Sequence, residues 1–136
     1  MNHLQLEKKQ KNKNAHSPSA QAIAVGMGEM LARINFRAER DGRDIEFVLC
    51  GHPENPLSKQ PCYSCIDFNQ MRPHGGDAGV IASSITSNDP YYPRPTSPFW
   101  ADFTSAYTLE AQAVSDTAKG LAEAVVEKLL AVWSTP

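Results

Sequence analysis

A chain of 136 residues with 41% hydrophobic and 21% charged side chains is long enough for one domain with a two-layer core. Its formal net charge of −2 excludes a general affinity for nucleic acid, and no apolar run reaches the length of a membrane span. The N-terminal lysines are followed by no apolar stretch that would make an export signal, so the three cysteines predict reduced thiols rather than a disulfide framework.

The charge is unevenly spread. Residues 1–14 set Lys8, Lys9, Lys11 and Lys13 against Glu7, a local +3 that leaves −5 on the remainder. After Leu6, residues 1–16 have almost no apolar side chains to offset the entropy of ordering, so they read as a flexible basic arm in front of a single domain over 17–136. Ser17-Pro18-Ser19 then predicts a helix start, with Ser17 as cap and Pro18 in the first turn. Ala20, Ile23, Ala24, Met27, Leu31, Ile34 and Ala38 recur on one helical stripe, and Asp41-Gly42 ends it. Gly26 and Gly28 weaken this helix and mark a place for close packing.

Four strands are expected next. Ile45, Phe47 and Leu49 alternate with Glu46, Val48 and Cys50, and residues 62–68 alternate likewise. Residues 80–85 are rich in β-branched side chains (Val80, Ile81 and Ile85), and the longest alternating run is 103–114. Between them lie loops at 51–61, 71–78 and 88–98; the last holds Pro90, Pro93, Pro95 and Pro98 and reads as semi-rigid. From Ser115-Asp116 the period changes: Ala118, Leu121, Ala122, Val125, Leu129 and Val132 form one stripe of a capped closing helix. The order α-β-β-β-β-α predicts an α+β fold, an antiparallel or mixed sheet of about four strands with an N-terminal and a C-terminal helix packed on it.

Chemistry-bearing residues cluster in one place. His52-Pro53-Glu54 followed by Pro61-Cys62-Tyr63-Ser64-Cys65 resembles the signature of zinc-dependent nucleobase deaminases. That resemblance implies His52, Cys62 and Cys65 as ligands and Glu54 as the proton shuttle. The two halves, however, are too close to hold the intervening elements of that family. A structural zinc set of Cys50, His52, Cys62 and Cys65 requires the chain to turn at Tyr63-Ser64, because Cys62 and Cys65 have opposite parity along a strand. Buried thiols are the alternative, and no catalytic residue, cofactor or metal is assigned. His74-Gly75-Gly76-Asp77 reads as a glycine turn. Tyr91, Tyr92, Arg94, Phe99 and Trp100 combine aromatics with a single cation, which suits a protein contact better than a nucleic-acid platform.

The layout resembles the tail terminator and tail-completion (head–tail joining) proteins of long-tailed, lambda-like bacteriophages. Ala20–Ala38 corresponds to the leading helix, Tyr63–Phe68 to the inner strand, Tyr107–Val114 to the strand before the final helix, and Ser115–Trp133 to that helix. The resemblance implies a non-enzymatic virion protein assembled in the host cytoplasm. Its subunits would form a ring, a hexamer in that family, that stops tail-tube polymerisation and joins tail to head. Its partners would be further copies of the chain, the tail tube and head-completion proteins, with DNA passing the channel and no membrane involved. The readings set beside it are the zinc-dependent hydrolase centred on His52, Glu54, Cys62 and Cys65, and a small protein-binding adaptor using the aromatic loop.

Overall fold

The computed structural model describes residues 19–50, 62–66, 70–88 and 92–134, with the backbone alone at 48–50 and 62–66. The basic arm, the 51–61 loop and Tyr91 lie outside them. In chain order the elements are α1 (Ala20–Ala32), a π-helical turn (Arg33–Arg37), β1 (Glu46–Cys50), β2 (Cys62–Ile66), α2 (Ala78–Ser87), α3 (Trp100–Val114) and α4 (Asp116–Trp133).

The predicted four-stranded α+β sheet is overturned: the described chain is mostly helical. Two of the expected strands, β1 and β2, pair with each other as an antiparallel ribbon, the one sheet among the described residues. The other two are helices. In α3 the buried residues are Phe103, Tyr107 and Ala111, at i, i+4 and i+8. Those positions also share strand parity, so the sequence satisfies both periods at once. Ser105 and Leu109 decide between them. A strand would bury them beside Phe103 and Tyr107; a helix turns them about 200° away, and Leu109 is 70% exposed. In α2 the β-branched residues are misleading. Asp77 accepts hydrogen bonds from the Gly79 and Val80 amides at 2.8 and 3.2 Å, which caps a helix. Ile81, Ala82 and Ile85 then fall on its inner face.

The closing helix forms where the stripe predicts, except that Val132, expected on its buried face, is 54% exposed. Ser115 caps α4 by accepting from the Ala118 amide at 2.9 Å, and Ala118, Ala122, Val125 and Leu129 are buried. Ser115 is the single residue between α3 and α4, and its extended backbone turns one helix into the next. At the other end α1 starts at Ala20, capped by Ser19 through the Ala22 amide at 3.1 Å.

The core lies where α1, α3 and α4 meet, closed on one side by α2. Leu31, Ile81, Ile85, Phe103, Tyr107, Val125 and Leu129 are all at most 1% exposed. Each such side chain contributes about 1.5–3 kcal/mol by leaving water. A run of aromatic contacts threads this core: Phe36 on Tyr107 at 5.3 Å, Tyr107 on Phe103, Phe103 on Tyr92 at 5.6 Å, and Tyr92 edge-on to Phe47 of β1 at 5.8 Å. The last contact ties the ribbon to the helices.

Gly28 sets the α1–α3 approach. A Cβ there would sit against the Phe103 carbonyl oxygen, inside contact distance, and within 3.2 Å of the Tyr107 nitrogen and the Ala106 Cβ. Gly120, in α4, would meet nothing within 4 Å. Gly28→Ala is therefore expected to lower stability by about 1–3 kcal/mol through overpacking. Gly120→Ala is expected to raise it by about 0.5–1 kcal/mol through backbone entropy. Urea unfolding of the two variants measures both; equal midpoints would contradict the close crossing.

Candidate functional site

Between the π-helical turn and β1 the chain makes an unusual loop. Glu39 and Asp44 adopt left-handed backbone conformations (φ 56° and 60°) on either side of Gly42 (φ 75°). Each non-glycine residue in that region costs on the order of 1 kcal/mol or more, so surrounding bonds must hold it. Three buried side chains do so.

The first is Asn35, fully buried. Its Nδ2 donates to the Arg40 carbonyl at 2.8 Å, and its Oδ1 accepts from the Tyr107 hydroxyl at 2.7 Å. Its own carbonyl accepts a short bond from His74 Nε2. The Gly76 amide donates to His74 Nδ1 at 2.9 Å, so the network assigns the tautomer with the proton on Nε2. The second is Asp41, 3% exposed, whose Oδ1 accepts from the Arg43 and Arg72 amides at 3.1 Å each. Asp41 N in turn donates to the Arg72 carbonyl at 2.9 Å, and Arg40 bridges Pro73. The third is Asn88, just after α2. Its Oδ1 accepts from the Asp44 amide and its Nδ2 donates to the Gly42 carbonyl, both at 2.8 Å. The loop is thus tied to α3, to the 72–76 segment and to the end of α2. Gly75 and Gly76, both at positive φ, form the turn expected of that pair.

A cavity of about 360 Å³ opens beside this knot, lined among others by Phe36, Glu39, His74, Gly76, Ser115 and Leu121. Both ring nitrogens of His74 and the Asn35 amide are already bonded. The buried polar groups on this wall therefore serve the fold. Tyr107, fully enclosed, has its phenol pushed well above the ordinary range, first by burial and then by the neighbouring Tyr92.

A second depression is open and lies between α3 and α4, with a volume of about 550 Å³. Leu109 and Val126 supply its apolar surface, and Thr104, Ser105, Thr108, Gln112, Lys119 and Glu123 its polar rim.

The predicted site residues are scattered. Cys50 and Cys62 stand directly opposite each other in the ribbon, whereas Cys65 is opposite Phe47. β2 runs unbroken through Cys62–Ile66, without the turn at Tyr63-Ser64 on which a four-ligand zinc set depends. His52, Glu54 and Tyr91 lie outside the described residues. Among the described residues no three or more His, Cys, Asp or Glu side chains are grouped to hold a metal. Of the aromatic loop, Tyr92 is buried in the core and Phe99 and Trp100 are half-buried against it. The Arg94 guanidinium lies 4.4 Å from the centre of the Trp133 ring, which Trp100 meets edge-on at 6.0 Å. The sequence reading missed Asn35, Asp41 and Asn88. An asparagine set between Ile34 and Phe36 on an apolar stripe was the available signal for the first.

A family model described as DUF3669, zinc finger protein, matches residues 65–119, less than half the chain. That segment holds one cysteine, Cys65, and one histidine, His74, too few for a structural zinc site of its own. No curated protein and no solved structure matches the chain at a significant level.

Two substitutions test the knot. Tyr107→Phe leaves the buried Asn35 Oδ1 without its donor and is expected to cost about 1–3 kcal/mol at neutral pH, whereas Asn35→Ala orphans both the Arg40 carbonyl and the Tyr107 hydroxyl and is expected to cost more, about 3 kcal/mol or above. The pH dependence has a definite sign. The unfolded phenol ionises near pH 10 and the folded one resists, so this contribution is complete below about pH 10 and is lost as pH rises beyond it. Stability measured from pH 8 to 11 should fall less steeply for Tyr107→Phe than for the parent; parallel curves would show that the phenol is not enclosed.

Proposed function

We propose that this chain is a non-catalytic interaction module that seats an amphipathic helix of a partner protein in the groove between α3 and α4. The observation that carries this reading is the groove itself: apolar at Leu109 and Val126, polar around them, and open along two adjacent helices. Leu109 is the most exposed large apolar side chain of the described residues. The interior supports the same reading, because Asn35, Asp41, His74 and Asn88 are all occupied in holding one loop. The tail-terminator resemblance rested on a four-stranded sheet that the described residues do not form, so the ring it implies draws no support from the architecture. Assembly through protein contacts is the part retained.

The test combines Leu109→Glu with Gln112→Lys, both exposed positions on α3. Partners of the full chain cross-linked in its own cells should be recovered about tenfold less well with the variant, the effect of losing one apolar anchor. An unchanged melting temperature confirms that the fold is intact; an unchanged partner set overturns the groove.

A second reading rests on a sequence pattern that begins in the strained loop. Enzymes that transfer phosphoryl groups from ATP use an Asp, an Asn five residues later and an Asp-Phe-Gly beyond, the last two of these sites holding Mg²⁺. Here Arg40-Asp41 is followed five residues on by Glu46, and Asp67-Phe68-Asn69 follows β2 in sequence. Glu46 pairs with Ile66, so the start of β1 and the end of β2 share one end of the ribbon. The pattern departs at Glu39, Glu46 and Asn69, and the Asp41 carboxylate is held by backbone amides instead of facing a substrate. The reading reduces to divalent-cation binding by Glu46, with Asp67, which lies outside the described residues, as the second carboxylate that the sequence offers. Titration calorimetry of the full chain with MgCl₂, with and without ATP, should then give heat that Glu46→Gln removes; no heat in either titration sinks this second reading alone.

A further inference from the structure

The antiparallel register sets Cys50, the last residue of β1, directly against Cys62, the first of β2. Residues facing each other in such a pair have Cα atoms about 4.5–5.5 Å apart, inside the span that a disulfide bridges. Cys65 is three residues further along β2, opposite Phe47, which places its backbone about 10 Å from that of Cys62. Three cysteines allow three pairings, and the ribbon brings together one.

We propose that Cys50 and Cys62 are a reversible dithiol–disulfide site, oxidised by hydroperoxides and restored by dithiol reductants. One thiolate attacks the O–O bond of a hydroperoxide; its sulfur becomes a sulfenic acid and the displaced oxygen leaves as water, or as an alcohol from an organic peroxide. The second thiolate attacks that sulfur, forms the S–S bond and expels the sulfenic oxygen as a second water. Two electrons pass from the thiol pair to the peroxide, and a dithiol returns them by two exchange steps. Cys65 stays a thiol in both states. The site is independent of the α3–α4 groove, so its failure would leave the interaction reading untouched.

The experiment uses the full chain, reduced and then exposed to a few equivalents of hydrogen peroxide before alkylation. The expected product is monomeric and about 2 Da lighter before alkylation, the mass of two lost hydrogens. It takes up one alkyl group instead of three, and a non-reducing peptide map links Cys50 to Cys62. Cys65→Ser should form the same bond and Cys50→Ser should form none. The same treatment in concentrated urea should lose the preference for this pairing, which ties the selectivity to the fold. A bond that includes Cys65, three alkylated thiols after peroxide, or disulfides found only between chains would each overturn the proposal.

Discussion

Burial of the Asn35 side chain is the constraint on which the other parts of the structure depend. An amide taken out of water without partners costs several kcal/mol, so a buried asparagine persists only where its bonds are complete. Here they are: one donor to Arg40, one acceptor to Tyr107, and the residue's own carbonyl to His74. Each partner sits on a different part of the chain. The α1 helix widens to a π-helical turn just where Asn35 occurs, and Ile34, Asn35 and Phe36 are all buried together. A regular α-helix would rotate consecutive residues by about 100° and expose one of the three. The widened turn narrows the arc that these three side chains span, which helps an amide and two apolar side chains to share one interior.

That arrangement explains how the strained loop survives. Glu39 and Asp44 hold conformations that a free chain leaves at once, and their positions are fixed from both sides. Asn35 and Asp41 tie the early part of the loop to α3 and to the 72–76 segment, and Asn88 ties the late part to the end of α2. Arg33 adds an exposed contact from the same turn to Glu110 of α3 at 2.9 Å, and this bond raises the Arg33 pKa. Being half-exposed, that pair adds little beside the buried amides. Order in this region therefore comes from polar groups, while the helices behind it are held by apolar packing.

The same division decides what was legible in the sequence. The closing helix was readable because Ala118, Ala122, Val125 and Leu129 fit only one period. The ribbon was readable because residues 45–50 alternate without a competing helical stripe. Phe103, Tyr107 and Ala111 fit two periods, and only the exposure of Leu109 separates them, a property that no alternation count contains. In α2 the decisive residue was Asp77, a cap that outweighs the β preference of Val80, Ile81 and Ile85. The polar knot was not legible, since its bonds join residues up to 72 positions apart. The aromatics of the proline-rich loop suit a protein contact by composition, whereas Tyr92 lies in the core between Phe47 and Phe103. Proline-rich composition indicates stiffness and does not say which way a stiff segment faces.

The ribbon stands apart from this economy of buried bonds. A two-stranded hairpin is marginal by itself in water, and three strands or a helix beneath are normally needed to hold one. The described support comes at the end near the helices, where Phe47 meets Tyr92 and Ile45 is buried. Cys50 and Cys62 lie at the opposite end, next to the 51–61 segment. A disulfide between them closes a loop around that segment and removes conformations open to the unfolded chain. For a closed loop of this size the constraint on the unfolded chain is on the order of 3 kcal/mol. That exceeds the contribution of any single cross-strand pair, about 0.2–1 kcal/mol. Oxidation at this position would therefore act on the order of the ribbon and leave the Asn35 knot and the helical core as they are.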